Sequence, residues 1–245
     1  MLMQLKVFAK RFTLRAMKRR SIAAKYLHGD GIEIGALHNP LSTKARVKYV
    51  DRLSRADLLR HYPELAVVRV VDPDIVDDGE TLTKIPDGSQ DFIIANHFIE
   101  HCENPIGTLQ TFAAKLRARG VVYMAVPDKK HTFDRRRPST TFEHLETDYR
   151  DNGAGSRWEH YCEFAKLACF AEPISEERAT EVAKKQMADR YSIHFHVWTL
   201  LEFKDFLEQA RERFFPDLTI LDSVANGDEG IFILQRRLVP TRQVR

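Results

Sequence analysis

One acidic residue and one glycine stand where an open α/β sheet would bind a nucleotide cofactor. The segment reads Gly31-Ile32-Glu33-Ile34-Gly35 and is followed by Ala-Leu-His-Asn-Pro. A dinucleotide pyrophosphate needs several glycines for close backbone approach, and the Glu33 carboxylate would repel its charge. A ligand that carries an ammonium and a sulfonium group tolerates this carboxylate much better. The charge of the loop therefore favours S-adenosylmethionine over a nicotinamide dinucleotide.

A second acidic residue ends the next segment of strand character. This segment, residues 46–51, contains Val47, Tyr49 and Val50, which favour a β-strand, and its last residue is Asp51. A carboxylate at this position can accept hydrogen bonds from both ribose hydroxyls of an adenosine cofactor. Aspartate also ends strands as an ordinary cap, so both interpretations stay open at this point.

Methyl transfer to an alcohol requires a base, because the pKa of a hydroxyl group is too high for unassisted attack. Histidine is the usual base, since its pKa lies near neutral pH, and the sequence contains ten. His131 and Asp134 follow the fifth predicted strand, over which an acceptor is expected to bind. We predict that both are catalytic, and a solvent-exposed loop is the alternative.

Three other histidines lie further along the chain. His160 falls within a charged stretch, where a site residue and a surface helix residue both fit. His194 and His196 alternate on an extended segment, so both are expected to point to one face. Two such histidines can bind a metal ion, but the spacing specifies no third ligand. We therefore assign no metal site and expect this pair to pack beside Trp198.

Three adjacent guanidinium groups, Arg135 to Arg137, follow the candidate base. They can clamp a phosphate or carboxylate on an acceptor such as a nucleotide sugar or a lipid-linked glycan. A solvated basic turn before Pro138 is the alternative interpretation.

The elements that must position these residues alternate between strand and helix patterns. This alternation indicates an open parallel sheet with helices on both faces. The predicted strands span residues 31–35, 46–51, 67–71, 91–96, 121–126, 218–224 and 230–235. Asn226-Gly227 between the last two predicts a hairpin. The expected fold class is therefore α/β: a Rossmann-like, seven-stranded, mostly parallel sheet with an antiparallel last strand.

Two helices and one insertion complete this pattern. Asn104 as N-cap, Pro105 at the first helical position and Gly120 as the stop predict a helix before the fifth strand. A capping box over residues 199–202 predicts a helix that runs to about Arg213. Residues from about 131 to 191 are too long for a loop and too helical in composition for disorder. We predict that they form a helical insertion after strand five.

The chain divides into a basic amino-terminal arm, residues 1–25, a main domain, residues 26–238, and a carboxyl-terminal tail, residues 239–245. The arm holds eight Lys or Arg residues and no acidic residue, and apolar residues follow helical spacing at Leu2, Leu5, Phe8 and Phe12. A basic amphipathic helix can lie on an anionic membrane or dock on an acidic protein. It can equally cap the domain. Because lysines interrupt its apolar residues, we expect no secretory signal.

The composition narrows the class of protein. Hydrophobic residues make up 43% and charged residues 30%, which is typical of a globular protein, and no apolar run reaches the roughly 20 residues that span a bilayer. No nucleic-acid partner is expected, because the domain lacks a basic and aromatic platform. Three cysteines without zinc-ligand spacing indicate reduced thiols. We expect a cytoplasmic protein, at most peripheral to the inner face of the membrane, and leave its oligomeric state open.

Four parts of the chain resemble the class I S-adenosylmethionine-dependent methyltransferases, in particular their small-molecule, type 11-like branch. They are the Glu33–Gly35 loop with Asp51, the run Asp78–Leu82 before Pro86–Phe92, the segment His97–His101, and the terminal hairpin. The segment His97–His101 is similar to the x-x-L-E-H segment of that branch. The resemblance covers roughly residues 22–237.

This resemblance implies S-adenosylmethionine as the cofactor and assigns residues to its parts. Glu33 and Gly35 would hold the methionine part, Asp51 the ribose and Asp78 the adenine amino group. Asn96, at the end of the fourth strand, is also assigned to cofactor binding. The resemblance favours a pocket-lining or structural role for His101, which is our third catalytic candidate.

Residues 127–138 are also similar to a group of methyltransferase-like proteins associated with bacterial surface-polysaccharide biosynthesis. The expected reaction is therefore methyl transfer to a hydroxyl group of a small, polar, sugar-like or glycan acceptor. In the first loop, however, Leu37 and Asn39 replace the second and third glycines of the family. This departure supports a second hypothesis, a non-catalytic methyltransferase-like scaffold that binds a partner through the basic arm.

Overall fold

The computed structural model describes residues 2–238, with side chains from residue 14 onward. Within this part, seven strands form one sheet: β1 Asp30–Ile34, β2 Arg46–Asp51, β3 Ile75–Val76, β4 Gln90–Ile94, β5 Leu116–Pro127, β6 Leu218–Ala225 and β7 Glu229–Arg236. The helices are α1 Leu2–Tyr26, α2 Arg55–His61, α3 Pro105–Lys115, α4 Phe142–Asp151, α5 Arg157–Leu167, α6 Glu176–Ala188 and α7 Leu200–Phe214. The predicted tail and the side chains of Leu2, Leu5, Phe8 and Phe12 lie outside the described part.

The strands lie in the order β3-β2-β1-β4-β5-β7-β6. Neighbouring strands from β3 to β5 are parallel, whereas β7 is antiparallel to both β5 and β6. The predicted fold class is confirmed, including the antiparallel last strand. The strand order reverses between β1 and β4, where Glu33 and Ile94 are register partners. Ligands of open α/β sheets bind beyond the carboxyl ends of the strands at such a point.

The third strand was predicted at residues 67–71, and this prediction is wrong. β3 is the short segment Ile75–Val76, which pairs with the end of β2. Residues 63–67 form a 3-10 helix instead, and Val67 is 90% exposed. Val70 packs with Leu58 and Leu65 in a small apolar cluster outside the sheet. The apolar run therefore reflects local packing on α2 and not a place in the sheet.

The predicted caps of the two central helices are confirmed. Asn104 accepts a hydrogen bond from the backbone N–H of Gly107, and Thr199 and Glu202 form the capping box of α7. α3 ends at Lys115, however, and does not continue to Gly120. β5 begins at once, and Gly120 lies within it, where a Cβ would come within 3.0 Å of backbone carbonyl oxygens.

Two apolar layers cover the sheet. Ile93 belongs to the layer that includes α3 and α7, whereas Ile94 belongs to the layer that includes the last turns of α1. Alternate residues of a strand point to opposite faces, so the two layers lie on opposite sides of the sheet. The carboxyl end of α1 contributes Ile22 and Ala23 to the second layer.

The segment between β5 and α7 is helical, as predicted. It comprises two 3-10 turns and the helices α4, α5 and α6. α5 and α6 pack into an apolar cluster of their own, to which Ile193 and Phe195 also belong. Trp198, a few residues later, packs in the main core. The extended residues 193–198 therefore join the insertion to the sheet.

Candidate functional site

The loop after β1 closes around the carboxylate of Glu33. Both carboxylate oxygens accept a hydrogen bond from the backbone N–H of Leu41, at 2.9 and 3.1 Å, and the residue is 1% exposed. Burial raises the pKa of Glu33 to about 7, although this hydrogen bond opposes the shift. Gly35 has a φ of +64°, and a Cβ there would meet nothing within 4 Å. Glu33 therefore shapes the loop, and open space lies in front of Gly35.

The acidic residues that follow β2 and β3 lie side by side. The backbone N–H of Asp77 donates to the carbonyl oxygen of Asp51 at 2.9 Å. Asp51 is buried, and burial raises the pKa of its carboxyl group. Asp77 is also buried and accepts hydrogen bonds from Thr83 and Lys84, whereas Asp78 is exposed. Asp77 thus holds the loop and leaves Asp78 facing solvent. The resemblance to the family implied a role for Asp78 alone.

Asn96 follows β4 and lies at the same edge of the sheet. Its Oδ1 accepts a hydrogen bond from the backbone N–H of Ala125 at 3.1 Å. Its Nδ2 is buried and has no partner at hydrogen-bond distance among the described residues, although the amide lies close enough to the Glu33 carboxylate to act against the rise of its pKa. A buried N–H without an acceptor destabilises the fold unless a ligand accepts a hydrogen bond from it. Together with the acidic pair and the space at Gly35, this amide fits an adenosine cofactor with an amino-acid end.

His97 lies beyond β4 in a left-handed conformation, with a φ of 48°. Its Nε2 is 3.0 Å from Oε2 of Glu229, and its Nδ1 is 3.4 Å from Oε1 of Glu100. Loss of hydration opposes the charge of this imidazole, but the two carboxylates outweigh it and raise the pKa of His97 to about 9. Nη2 of Arg19 lies 2.9 Å from the same Nε2, so two basic groups meet at Glu229.

Glu229, the first residue of β7, is fully buried and attaches α1 beside His97. Its carboxylate accepts hydrogen bonds from Arg19 Nε at 2.7 Å, Arg15 at 3.0 Å and Asn226 at 2.6 Å. Burial acts to raise the pKa of Glu229, but His97 and Arg19 outweigh it and lower the pKa. The basic arm thus reaches the site through two arginines, which the sequence analysis counted only as part of a charge pattern.

Asp134 and His194 form a buried pair. Oδ2 of Asp134 lies 2.6 Å from Nδ1 of His194, and Arg137 donates to the other oxygen at 3.0 Å. Burial acts to raise the pKa of Asp134, but the His194 hydrogen bond and the Arg137 charge outweigh it and lower the pKa. An ionised carboxylate only accepts hydrogen bonds, so Nδ1 of His194 carries a proton and donates a hydrogen bond to Asp134.

His194 and His101 line a cavity of about 580 Å³ beneath the insertion. The two rings are 4.6 Å apart, edge to face. Nδ1 of His101 lies 2.8 Å from the carbonyl oxygen of Ile193, and burial lowers the pKa of His101 to about 4. His101 is therefore neutral and donates through Nδ1. The remaining wall combines aromatic and polar residues, among them Phe133, Phe164, Arg135, Arg136, Tyr191 and Ser192.

Two contacts join the end of the insertion to residues that follow β2. Arg52, directly after Asp51, donates two hydrogen bonds to the carbonyl oxygen of Arg190, each at 3.3 Å. Tyr191, which lines the cavity, stacks on His61 of α2 with the ring centroids 6.5 Å apart. The insertion is therefore joined to the part of the sheet that carries Asp51.

The structure separates several residues that the sequence analysis grouped. His131 is exposed and does not line the cavity, whereas Asp134 pairs with His194 instead. His194 and His196 have different partners, since His194 binds Asp134 and His196 stacks on Trp198. The expected packing beside Trp198 thus holds for His196 alone. The pairing of His194 with Asp134 had no local signal, since 60 residues separate the two.

The three arginines after Asp134 do not form one clamp. Arg137 is 2% exposed and binds Asp134, Glu163 and backbone carbonyls. Arg136 donates to three carbonyl oxygens at the end of α5 and beyond. Both are used to fold the insertion, and Arg135 is the exposed one.

A family profile described as a methyltransferase domain matches residues 7–211 of the chain. A search of curated proteins found no relative of significant similarity. Among solved structures, a Rhodobacter sphaeroides protein named as a Zn-dependent alcohol dehydrogenase is 15% identical, with a TM-score of 0.51 and coverage of 88% of this chain and 87% of that one. At this identity the likeness shows the fold alone.

Two further solved structures carry methyltransferase names. An S-adenosylmethionine-dependent methyltransferase from Thermotoga maritima is 12% identical, covers 95% of this chain and 96% of that one, and has a TM-score of 0.44. One from Methanosarcina mazei is 14% identical, covers 88% of this chain and 96% of that one, and also has a TM-score of 0.44.

No helix in the described part of the chain is both long enough and apolar enough to cross a bilayer.

Proposed function

Because the chain belongs to the family of methyltransferase domains, we propose that it methylates a hydroxyl group of a small, polar, sugar-like or glycan acceptor. S-adenosylmethionine is its cofactor. The observation that supports an oxygen acceptor is the Asp134–His194 pair at the wall of a cavity. An alcohol needs a base of this kind to become a nucleophile at neutral pH.

Five residues at the carboxyl edge of the strands would hold the cofactor. Glu33 keeps the first loop in place and Gly35 leaves room for the methionine part. Asp51 would accept hydrogen bonds from the ribose, Asp78 would bind the adenine amino group, and Asn96 would donate through its unpaired Nδ2. S-adenosylmethionine supplies an electrophilic methyl group on a sulfonium ion.

His194 is the base in this proposal, and Asp134 positions it. Nε2 of His194 takes the hydroxyl proton as the acceptor oxygen becomes a nucleophile. Asp134 holds the proton on Nδ1 and stabilises the imidazolium ion that forms. A positioned base of this type contributes about 10²–10⁴-fold to a rate. His101 lines the same cavity as a neutral imidazole and would contact the acceptor.

The cavity suits a ring with an apolar face and polar edges. Its volume of about 580 Å³ lies in the usual range of small-molecule sites. Phe133, Phe164 and Tyr191 offer apolar faces, while Ser192 and Arg135 offer hydrogen-bond donors. A sugar ring has C–H faces and hydroxyl edges that match this lining. Arg135 would bind a phosphate or carboxylate if the acceptor carries one.

We place the reaction in the cytoplasm, with α1 as the contact to a membrane surface or an acidic partner. Arg20 is exposed on this helix, Arg15 and Arg19 are bound to Glu229, and the exposed Lys18 and Lys25 contact the Ala225 carbonyl oxygen and Asp222 of β6. The described cysteines are free, as expected for a reducing compartment.

Calorimetric titration with S-adenosylhomocysteine separates the enzyme from the scaffold hypothesis. Binding at micromolar affinity, lost in a Glu33→Ala, Asp51→Ala double variant, would support the enzyme. No heat of binding by a folded protein would reject the proposed function and favour the non-catalytic scaffold.

A methyl-transfer assay with labelled S-adenosylmethionine then identifies the base and the acceptor. We expect methyl transfer to sugar hydroxyls, a loss of roughly 10²–10⁴-fold in kcat for His194→Gln, and no loss for the exposed control His28→Gln. If His131→Gln abolished activity while His194→Gln retained it, His131 would be the base. Transfer to amines alone would contradict an oxygen acceptor.

A further inference from the structure

A group of three histidines and one aspartate lies in the insertion, apart from the cavity. This insertion cluster consists of His144 and Asp148 on α4, His160 on α5 and His196 in the extended segment before α7. Each residue offers one ligand atom, and these atoms all lie within 4.8 Å of one another. We propose that the insertion cluster is a structural zinc site.

The distances between the four atoms match a tetrahedron of metal ligands. Nε2 of His144, His160 and His196 lie 3.2, 3.7 and 3.5 Å from Oδ2 of Asp148, and the first two nitrogens are 3.0 Å apart. Ligands at about 2.0–2.1 Å from a tetrahedral Zn²⁺ ion are roughly 3.3 Å from one another. The insertion cluster therefore leaves the right space for such an ion at its centre.

Some polar atoms of this cluster have no hydrogen-bond partner among the described residues. Asp148 is fully buried, its Oδ1 accepts from Ser156 at 2.5 Å, and its Oδ2 has no hydrogen-bond partner. His196 is fully buried as well, its Nδ1 has no partner, and its Nε2 is 3.5 Å from the nearest carbonyl oxygen. At that distance a hydrogen bond contributes little. A cation at the centre would use the lone pairs of Oδ2 of Asp148 and Nε2 of His196.

The ligand types favour zinc. Imidazole nitrogens with one carboxylate oxygen suit Zn²⁺, whereas Mg²⁺ and Ca²⁺ prefer oxygen ligands alone. Four protein ligands fill a tetrahedral shell, and such closed sites are structural. His144 and Asp148 are one helical turn apart, so one face of α4 presents both.

The ion would connect three separate pieces of the insertion. α4, α5 and the segment that contains His196 each supply at least one ligand. His194 lies two residues before His196 on that segment, so the ion would also fix the backbone that carries the proposed base. This consequence rests on the proposed function, whereas the metal site itself does not.

Metal analysis of the full-length chain tests the site without any activity assay. We expect about one zinc per chain after purification without chelator, a lower melting temperature after chelation, and recovery on adding Zn²⁺. Replacing zinc by Co²⁺ should produce the intense visible absorption of a tetrahedral site. A metal-free protein whose melting temperature does not respond to Zn²⁺, and which gives no such Co²⁺ spectrum, would overturn the proposal.

Variants locate the ion. His160→Gln and Asp148→Asn should each weaken zinc binding by more than about tenfold, as expected when a ligand is lost. Glu100→Gln is the matched control, since Glu100, His101 and His194 are a second group whose ligand atoms lie within 4.8 Å. Zinc lost from Glu100→Gln but retained by His160→Gln would reject the insertion cluster. If the cluster variants fail to fold, the Zn²⁺ and Co²⁺ titrations of the unmodified chain decide the question.

Discussion

Nδ1 of His194 lies 2.6 Å from Oδ2 of Asp134, although the two residues are 60 positions apart in the chain. Arg137 fixes this pair from both sides, since its guanidinium donates to Oδ1 of Asp134 and to the carbonyl oxygen of His194. The imidazole is therefore held in one orientation, with Nδ1 directed at Asp134.

Replacing Asp134 tests this positioning role. We expect Asp134→Asn to lower kcat by roughly 10²–10⁴-fold, because an amide no longer stabilises the imidazolium ion. KM for the acceptor should stay nearly constant, since Asp134 lies behind His194. Steady-state kinetics measure both constants, with the exposed Asp205→Asn on α7 as the control. A rise in KM without a loss of kcat would contradict the assignment.

Asp51 is expected to bind the cofactor ribose. Asp51→Ala should weaken S-adenosylhomocysteine binding by about 1–3 kcal/mol, the loss typical of an unpaired polar contact. Calorimetry measures the difference, and Asp72→Ala, an exposed aspartate before β3, serves as control. An unchanged dissociation constant for Asp51→Ala would remove Asp51 from the site.

Glu33 makes the stability of the protein depend on pH in a defined window. Its pKa is raised from 4.5 to about 7 by burial, so the folded chain holds a proton that the unfolded chain has lost. The stabilisation is fully present below pH 4.5 and is lost as the pH rises through about 7. The upper limit of this stabilisation is about 3.5 kcal/mol, from about 1.4 kcal/mol for each pKa unit.

Denaturant unfolding at several pH values measures this contribution. Glu33→Gln cannot titrate, so its free energy of unfolding should fall less between pH 4.5 and 7 than that of the unmodified chain. Glu64→Gln, an exposed control, should keep the original slope. Parallel curves for Glu33→Gln and the unmodified chain would show that the Glu33 carboxyl group titrates normally.

Glu229 holds α1 on the sheet. Glu229→Gln should destabilise the fold by about 3–5 kcal/mol, because it leaves the charge of the mostly buried Arg19 without its partner. Hydrogen exchange should then accelerate in residues 14–26. Asp228→Asn is the matched control, since its ion pair with Arg15 is partly exposed and worth about 1 kcal/mol. Equal effects of the two variants would contradict this anchor.

Signals within a few residues of one another predicted much of the fold. The Asn104 cap, the Thr199 capping box and the Asn226-Gly227 turn depend on hydrogen bonds and backbone angles of adjacent residues, and all three are present. The prediction of the third strand was wrong because β3 is an edge strand of two residues. Pairing with β2 determines its position, and two residues are too few to form a recognisable sequence pattern. α3 likewise ends early because Leu116 pairs with Gln90 of β4.

The sequence by itself determined the alternation of strands and helices and the acidic residues that follow the strands. Each of these features depends on residues within one turn or one strand, so local backbone geometry determines it. Only the tertiary structure decided which distant side chains meet: Asp134 with His194, Glu229 with Arg19, and the four members of the insertion cluster. Such contacts form between residues far apart in the chain. The packing of whole helices and strands determines the distance between these side chains, and no periodic sequence pattern predicts that distance.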